Sequence, residues 1–461
     1  MKILQVVHSL PFLNQAGTEL YTHDLSVELS KRNRLYVFTR SCDEKKKEYE
    51  VTKQDLNGIT VYLINNTFRN CDSFEGHYQN NEIDRRFVEV LDEIKPEVVH
   101  IQHLVFLSIG LIREIKERGI PIIFTLHDYW LMCPRWHILK KDLTPCEKVF
   151  THSFNEECLG CIGDLLNIKR GAKKLYVFSR RLLPAFLVRW LKKMYFVYAR
   201  RTSCSDTDIT KLKERSTRIH ELLNDVDLFI APSKYLKDRF IDFGIHSDKI
   251  RLSRNGLNGT LFKNIQKTRS NKLRFAFIGT ILPAKGLHIL IEAFNRINRR
   301  DVELRIYGRL YRYTGFESYL PYLKRITRNK LIRFMGEFNH AEIFNIFKEI
   351  DILIAPSIWH ENSPIVIQEA LSSNTPVIAS RIGGIPELLE DGINGLLFNA
   401  GDSKDLQQKI KYILNNPEVI ARFGDNRPGI KNIEADAMGM EEIYGNLQTE
   451  YRLSIQSVQG H

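Results

Sequence analysis

The strongest constraint on this 461-residue chain is the alternation of short apolar runs with helical periodicities along almost its whole length. KILQVV (2–7), LYVFT (35–39), TVYLI (60–64), EVVHI (97–101), PIIFT (121–125) and DLFIA (227–231) mark the first half. LRFAFIG (273–279), VELRIYG (302–308), LIRFMG (331–336), DILIA (351–355) and PVIAS (376–380) mark the second. Between them lie helical patterns such as GLHILIEAFNRI (286–297). Such alternation builds parallel sheets with helices on both faces. A run that is apolar throughout, such as DILIA, fits a strand covered on both sides. The expected fold class is α/β, made of doubly wound, Rossmann-like parallel sheets.

The chain is too long for one ordinary core, so two or three domains are expected. The turn-rich RNGLNG (254–259) marks the division. The reading gives an N-terminal domain over 1–255, a C-terminal domain over 256–430, and a final helix and tail over 431–461 that packs back on the first domain. DLFIAPS (227–233) and DILIAPS (351–357) share five of seven residues, as equivalent strand-to-loop units would. Chance likeness between buried strands is the alternative. Two such domains facing each other leave a ligand cleft at the carboxyl ends of their strands. Residues 133–205 interrupt the alternation and read as an insertion in the first domain.

Lysine and arginine outnumber aspartate and glutamate 67 to 55, a formal charge of +12. This excess suggests an anionic partner without choosing among nucleic acid, a membrane surface and phosphorylated substrates. The opening MKILQVVHSL is broken by Gln5 and His8 and reads as a strand rather than an export signal. No run approaches the roughly 20 apolar residues that span a bilayer. Seven cysteines without an export signal argue against a disulfide framework, so a cytoplasmic protein is expected.

The stretch HENSPIVIQEA (360–370) carries two carboxylates around a helix start. Ser363 is the expected N-cap and Pro364 the first helical residue. Glu361 then sits in the loop facing the helix mouth, and Glu369 roughly 9 Å along the axis. On a helical wheel Glu369 falls beside the stripe of Val366, Ile367, Ala370 and Leu371, so a solvated edge and a functional carboxylate are both open. Lys285, in TILPAKGLHIL, stands at the start of a helix, where the dipole disfavours a cation by roughly 0.3–1 kcal/mol. An anion between the lysine and the free N–H groups resolves that conflict, and Gly286 lets a ligand approach the backbone. A solvated lysine is the alternative. Gly17 precedes another helix, although GxGxxG is absent. His127-Asp128 follows PIIFT, and His100 and His103 sit near EVVHI, all suited either to substrate or to structural hydrogen bonds.

GTELYTHDLSVELS, TLHDYW, APSKYLKDRF, RNGLN, IGTILPAKGLHILIEAF, APSIWHENSPIVIQEA and RIGGIPELLEDGINGLLF occur here in one order. Together they resemble glycosyltransferase family 4, whose members are retaining enzymes of the GT-B fold. The likeness covers most of residues 1–415, and its most specific part is the Glu-x7-Glu spacing of Glu361 and Glu369. The resemblance implies ribose recognition at Glu369, the transferred sugar at Glu361 and the donor diphosphate at Lys285. It implies a donor-sugar contact at His127 and a phosphate-facing loop at Gly17. His127, Lys285 and Glu361 are the catalytic candidates. Asn362 and Ser363 are counted with the donor site, and His103 and Asp128 with the acceptor side.

Two positions depart from the family pattern. Thr280 stands where many members carry Arg, with Arg254 and Arg309 as substitutes to consider. Asn362-Ser363-Pro364 replaces a frequent glycine–aromatic–glycine, which leaves donor-sugar preference open. The implied chemistry is sugar transfer from a nucleotide-sugar donor to a glycan or lipid-linked acceptor, in cell-surface polysaccharide synthesis. An Asp-x-Asp metal motif is lacking at an expected place, so no catalytic cofactor is expected. A sugar-nucleotide epimerase of similar fold is the rival enzyme, and a basic nucleic-acid-binding protein the rival of another class.

Within the insertion, Cys133, Cys146, Cys158 and Cys161 are spaced C-x12-C-x11-C-x2-C. One CxxC pair with two outlying cysteines completes a tetrahedral structural zinc site, or the four are unconnected thiols. Residues 169–201 mix Lys and Arg with apolar and aromatic residues, and no Asp or Glu occurs from Leu165 to Ser205. That pattern suits peripheral binding to an anionic membrane surface, with a solvated insertion as the alternative.

Overall fold

The computed structural model describes residues 1–71, 73–140, 142–147, 154, 156–166, 187, 206–262, 265–310 and 318–459. Among them run two sheets. The first contains β1 (Lys2–Val7), β2 (Arg34–Ser41), β3 (Val51–Leu56), β4 (Ile59–Asn65), β5 (Val98–Ile101), β6 (Ile122–Thr125), β7 (Leu228–Ala231) and β8 (Ile250–Leu252). Its strand order is β3-β4-β2-β1-β5-β6-β7-β8, parallel except for β3 against β4. The second contains β9 (Leu273–Ile278), β10 (Val302–Tyr307), β11 (Ile332–Gly336), β12 (Ile352–Ala355), β13 (Val377–Ser380) and β14 (Gly395–Phe398). Its order is β11-β10-β9-β12-β13-β14, parallel throughout.

All eleven expected runs form strands: those apolar on both faces fill covered sheet interiors, while β11 is a largely exposed edge strand. Ile3, Leu4, Val6 and Val7 of β1 and Ile352 and Leu353 of β12 have no exposed surface. Three further strands escape the sequence pattern. β3, VTKQDL, is an edge strand with three exposed polar residues, and β8 is a three-residue edge. β14, GLLF, is wholly buried but only four residues long.

In each sheet the strand order reverses at one place. β1 lies between β2 and β5, and β9 lies between β10 and β12. Crossovers leave these switch points in opposite directions and open a crevice at the strands' carboxyl ends. The loops that follow β1, β5, β6, β9 and β12 carry the candidate residues.

The helix Ile433–Gln459 returns the chain to the first sheet. Its Asp436, fully buried, accepts hydrogen bonds from Tyr21 Oη at 2.9 Å, Gly256 N at 2.7 Å and Lys431 Nζ at 2.5 Å. Tyr444 Oη lies 2.7 Å from His100 Nδ1, whose Nε2 is 2.7 Å from Thr125 Oγ1. His100 is therefore spent on joining this helix to the sheet.

Candidate functional site

The site begins where β9 and β12 end. Pro283–Lys285 forms a 3₁₀ turn, and Gly286, at φ +66°, redirects the chain into the helix Leu287–Asn295. A side chain at Gly286 would collide with the Pro356 carbonyl, so only glycine permits this approach. The two strand exits are then joined by Ile358 N donating to Ala284 O at 2.9 Å. That contact brings Lys285 Nζ within 2.6 Å of Glu361 Oε1, and Ser357 Oγ donates to the same oxygen at 2.6 Å. Burial pushes the Glu361 carboxyl upward, but the Lys285 ammonium and the Ser357 hydroxyl outweigh it and hold the group below its ordinary range.

The glycine pair of RIGGIPE clamps this loop from behind. Gly383 takes φ +60° with its α-carbon against the Glu361 backbone, and Gly384 N donates to Glu361 O at 2.7 Å. Neighbouring Glu387 spends its carboxylate on the other domain. It accepts from Lys234 N at 2.8 Å and Tyr235 N at 2.7 Å, where an anion suits the start of the helix Lys234–Asp242.

Glu369 lies inside the helix Ile365–Ser372 and is 1% exposed, which removes the solvated-edge reading. His340 Nε2 stands 2.6 Å from its Oε1. Burial works against a charged His340, yet the bond to Glu369 and its charge prevail and raise the imidazole above its ordinary range. The expected cap is corrected here. Pro364, not Ser363, is the N-cap, and it makes no side-chain cap bond. Its ψ of 117° is extended, so the helix starts one residue later, and the Ser363 hydroxyl instead accepts from Gln368 Nε2 at 3.0 Å. Gly17, the first residue of the helix Gly17–Ser30, faces Ile365 across the interface: a methyl there would sit 3.6 Å from Ile365 Cδ1.

Asn362 has an unforeseen set of partners. Its Oδ1 accepts from Ser233 Oγ at 2.7 Å, and its Nδ2 donates to Leu126 O at 3.3 Å. Both belong to the first domain. The repeated APS after β7 and β12 explains the meeting: Ser233 holds Asn362 while Ser357 holds Glu361. That repeat was the sequence signal for two serines that residue-type reasoning passed over.

On the first domain's side, His103 Nδ1 accepts from Val105 N at 2.9 Å, leaving Nε2 to meet Asp128 Oδ2 at 3.1 Å. Burial raises the Asp128 carboxyl, but His103 and the Trp130 N–H lower it further, so the net direction is down. His8 Nε2 lies 3.2 Å from Glu19 Oε1, and the His8 and His103 rings are 4.8 Å apart. His8 and Glu19 thus extend the polar wall beyond the expected residues; Glu19 was within reach in GTELY. His127 Nε2 lies 2.8 Å from Gln102 Oε1. Burial, aided by the neighbouring His103, pulls His127 down to about 3.

Arg254 Nη2 donates to Glu387 O at 3.0 Å, and Arg309 lies 3.9 Å from Glu337. Each substitute for the missing Arg therefore has a partner outside the Lys285–Glu361 pair. Among the described residues, no three His, Cys, Asp or Glu side chains stand close enough to enclose a metal ion as placed. Among the same residues, no helix is long and apolar enough to cross a membrane. The segment 169–201 lies, but for Leu187, outside the described residues.

Two family models match the chain: Glycosyltransferase Family 4 over residues 16–156 and Glycosyl transferases group 1 over residues 260–428. An uncharacterized glycosyltransferase of Methanocaldococcus jannaschii is 29% identical over 48% of this chain and 60% of its own length. The match thus spans under two thirds of that relative. An uncharacterized protein in the cps region of Klebsiella pneumoniae is 27% identical, over 54% of this chain and 71% of its own. The structure of Anabaena HepE in complex with UDP and glucose aligns over 99% of this chain and 100% of its own, with TM-score 0.58 at 18% identity. Two parallel-sheet domains, the paired carboxylates of HENSPIVIQEA and both matches agree: the chain belongs to the group 1 glycosyltransferases of the GT-B fold.

Proposed function

We propose that this chain is a retaining glycosyltransferase that moves a sugar from a nucleotide-sugar donor to a glycan or lipid-linked acceptor. The observation that carries the reading is the Lys285–Glu361 pair at the mouth of the helix Leu287–Asn295. A cation at the positive end of a helix and a sugar-binding carboxylate suit a nucleoside diphosphate sugar. As the glycosidic bond breaks, negative charge grows on the departing diphosphate. Lys285 and the positive end of that helix stabilise that charge most in the transition state.

In this reading Lys285 exchanges part of its contact with Glu361 for the diphosphate, and Glu361 takes sugar hydroxyls. His127, kept neutral by burial, offers a hydrogen bond rather than a positive charge. A leaving phosphate oxygen accepts the acceptor proton, so no carboxylate nucleophile is needed. HepE, solved with UDP and glucose, supports a nucleotide-sugar donor. The cps-region relative supports a role in cell-surface polysaccharide synthesis.

Thermal stabilisation by UDP, GDP and ADP tests the donor site, since a ligand that binds only the folded state raises its stability. Transfer of labelled sugar from the stabilising nucleotide to an acceptor then separates a transferase from an epimerase. Absence of any nucleotide effect on the folded protein refutes the reading. The basic-apolar segment 169–201 supports an acceptor presented at an anionic membrane surface. Flotation of the full chain with anionic liposomes, against a variant with Arg189, Lys192 and Lys193 changed to Glu, tests that part.

A further inference from the structure

Two aromatic residues at the carboxyl end of the first sheet hold a backbone conformation that bulky side chains rarely take. Phe68, in the loop after β4, has φ +60°, and Phe106, in the loop after β5, has φ +65°. Such strain persists only where the surroundings impose it, and it gathers at binding and catalytic sites. Here the imposing group is Asn66, which has no exposed surface. Its Oδ1 accepts from Phe68 N at 3.1 Å, and its Nδ2 donates to Phe106 O at 2.9 Å. One buried amide thus fixes both residues, and their rings meet edge to face with centroids 5.9 Å apart. The Arg40 guanidinium, whose Nε donates to Asn66 O at 2.7 Å, lies 4.9 Å from the Phe106 centroid and 5.3 Å from that of Phe68.

A second observation is where these rings lie. The His8 ring is 6.3 Å from Phe106 and 4.8 Å from His103, so Phe106 continues the polar wall of the first domain. On its other side the Trp136 ring stands edge to face with Phe106 at 6.3 Å. From there ring contacts run to His137 at 5.7 Å and on to Trp359 at 4.7 Å, and Lys285 Nζ lies 5.4 Å from the Trp359 centroid. Phe106 and Trp136 therefore belong to the same crevice as the Lys285–Glu361 pair. Both are part exposed, whereas burial in a core would have drawn them in without straining the backbone.

We propose that Phe106 and Trp136 form a stacking platform for a pyranose ring of the acceptor. The inference rests on the glycosyltransferase reading above and adds to it a subsite and the class of group bound there.

A pyranose has an apolar face of C–H bonds, whose hydrogens carry partial positive charge, and a rim of hydroxyls. The negative face of an aromatic ring suits the first. His8, Glu19 and Asp128, beside the platform, offer hydrogen bonds to the second. Aromatic walls with a few placed polar groups are the ordinary make-up of a small-ligand site. The strain then has a purpose: Asn66 holds the Phe106 ring in place beforehand, so binding a sugar requires little further ordering.

Saturation-transfer difference NMR on the full chain tests this with the methyl glycosides of glucose, galactose, mannose and N-acetylglucosamine. Irradiating the protein's aromatic protons is expected to pass saturation to the ring C–H protons of at least one sugar. Phe106→Ala and Trp136→Ala should each weaken that binding about tenfold, the worth of one stacked ring, and Phe106→Tyr should keep it. Tyr412→Ala, at an exposed aromatic of the other domain, should leave it unchanged. Thermal stabilisation by UDP reports that each variant is folded, and Trp136→Ala keeps the test decisive if Phe106→Ala does not fold. A chain that responds to UDP but shows no aromatic-to-sugar transfer overturns the platform alone, as does binding unchanged in the alanine variants. A chain that ignores every nucleotide refutes the donor reading instead.

Discussion

His340 Nε2 lies 2.6 Å from Glu369 Oε1, and the backbone N–H of the same histidine donates to Gln15 Oε1 of the opposite domain at 3.1 Å. One residue thus occupies the buried carboxylate and touches the loop before Gly17. The raised His340 imidazole has Glu369 as its bonded partner, with Asp24 adding a weaker attraction. Its folded-state value lies above the unfolded one, near 6.5. The stability it contributes is therefore complete below about pH 6.5 and is lost as pH rises through the folded value.

If Glu369 receives ribose hydroxyls, a nucleotide must share this carboxylate with His340. UDP affinity is then expected to improve as pH rises from about 6 to above the His340 value, by up to about tenfold, the worth of one charged hydrogen bond. His340→Gln should flatten the dependence. Calorimetric titration across that range checks both statements, and an unchanged slope in the variant removes the competition.

Lys285→Ala should lower kcat/KM by roughly 10²–10³, the usual loss for one preorganised charge-stabilising donor. Glu369→Ala should act mainly on donor KM, by about tenfold. Lys285→Ala also leaves Glu361, 4% exposed, without its cation, a defect of about 3–5 kcal/mol for a buried charge. Adding Glu361→Gln should restore much of the Tm and none of the activity. Parallel kinetics and calorimetry on the single and double variants distinguish the two roles of the lysine.

Acid should destabilise the protein through its buried histidines. Burial lowers His100 and His127 to about 3 and His137 to about 4. Each is neutral when folded and takes up a proton when unfolded below about pH 6.5. Stability is therefore full above that value and falls as pH drops toward the folded values. His100 alone, with no exposed surface, accounts for about 1.4 kcal/mol per pH unit in that window. Denaturant unfolding at pH 7 and pH 5 measures the loss, and His100→Gln should make it shallower.

Asp436 joins three parts of the chain through Tyr21, Gly256 and Lys431. Asp436→Ala should cost about 2–5 kcal/mol, because it leaves the buried Tyr21 and Gly256 donors without their acceptor and removes the anion beside the part-exposed Lys431. The loss should appear as a lower Tm and as earlier proteolytic release of the helix Ile433–Gln459. A variant that keeps its Tm would show that this helix is held by apolar packing instead.

The sequence by itself determined the α/β class and eleven of the fourteen strands described, since a run such as DILIA is stable only when both faces are covered. It also placed Lys285, Glu361 and Glu369 near helix starts, where spacing along one helix sets position. β3, β8 and β14 escaped it because all three lie on sheet edges, β3 with a polar exposed run and β8 over only three residues. Only the tertiary structure decided which partner each polar group meets. Asn362 serves Ser233 and Leu126 across 129 and 236 residues, Glu361 serves Lys285 across 76, and His340 serves Glu369. Local sequence sets backbone periodicity, whereas a buried polar group must be satisfied by whatever the folded chain brings within hydrogen-bond reach, at any separation along it.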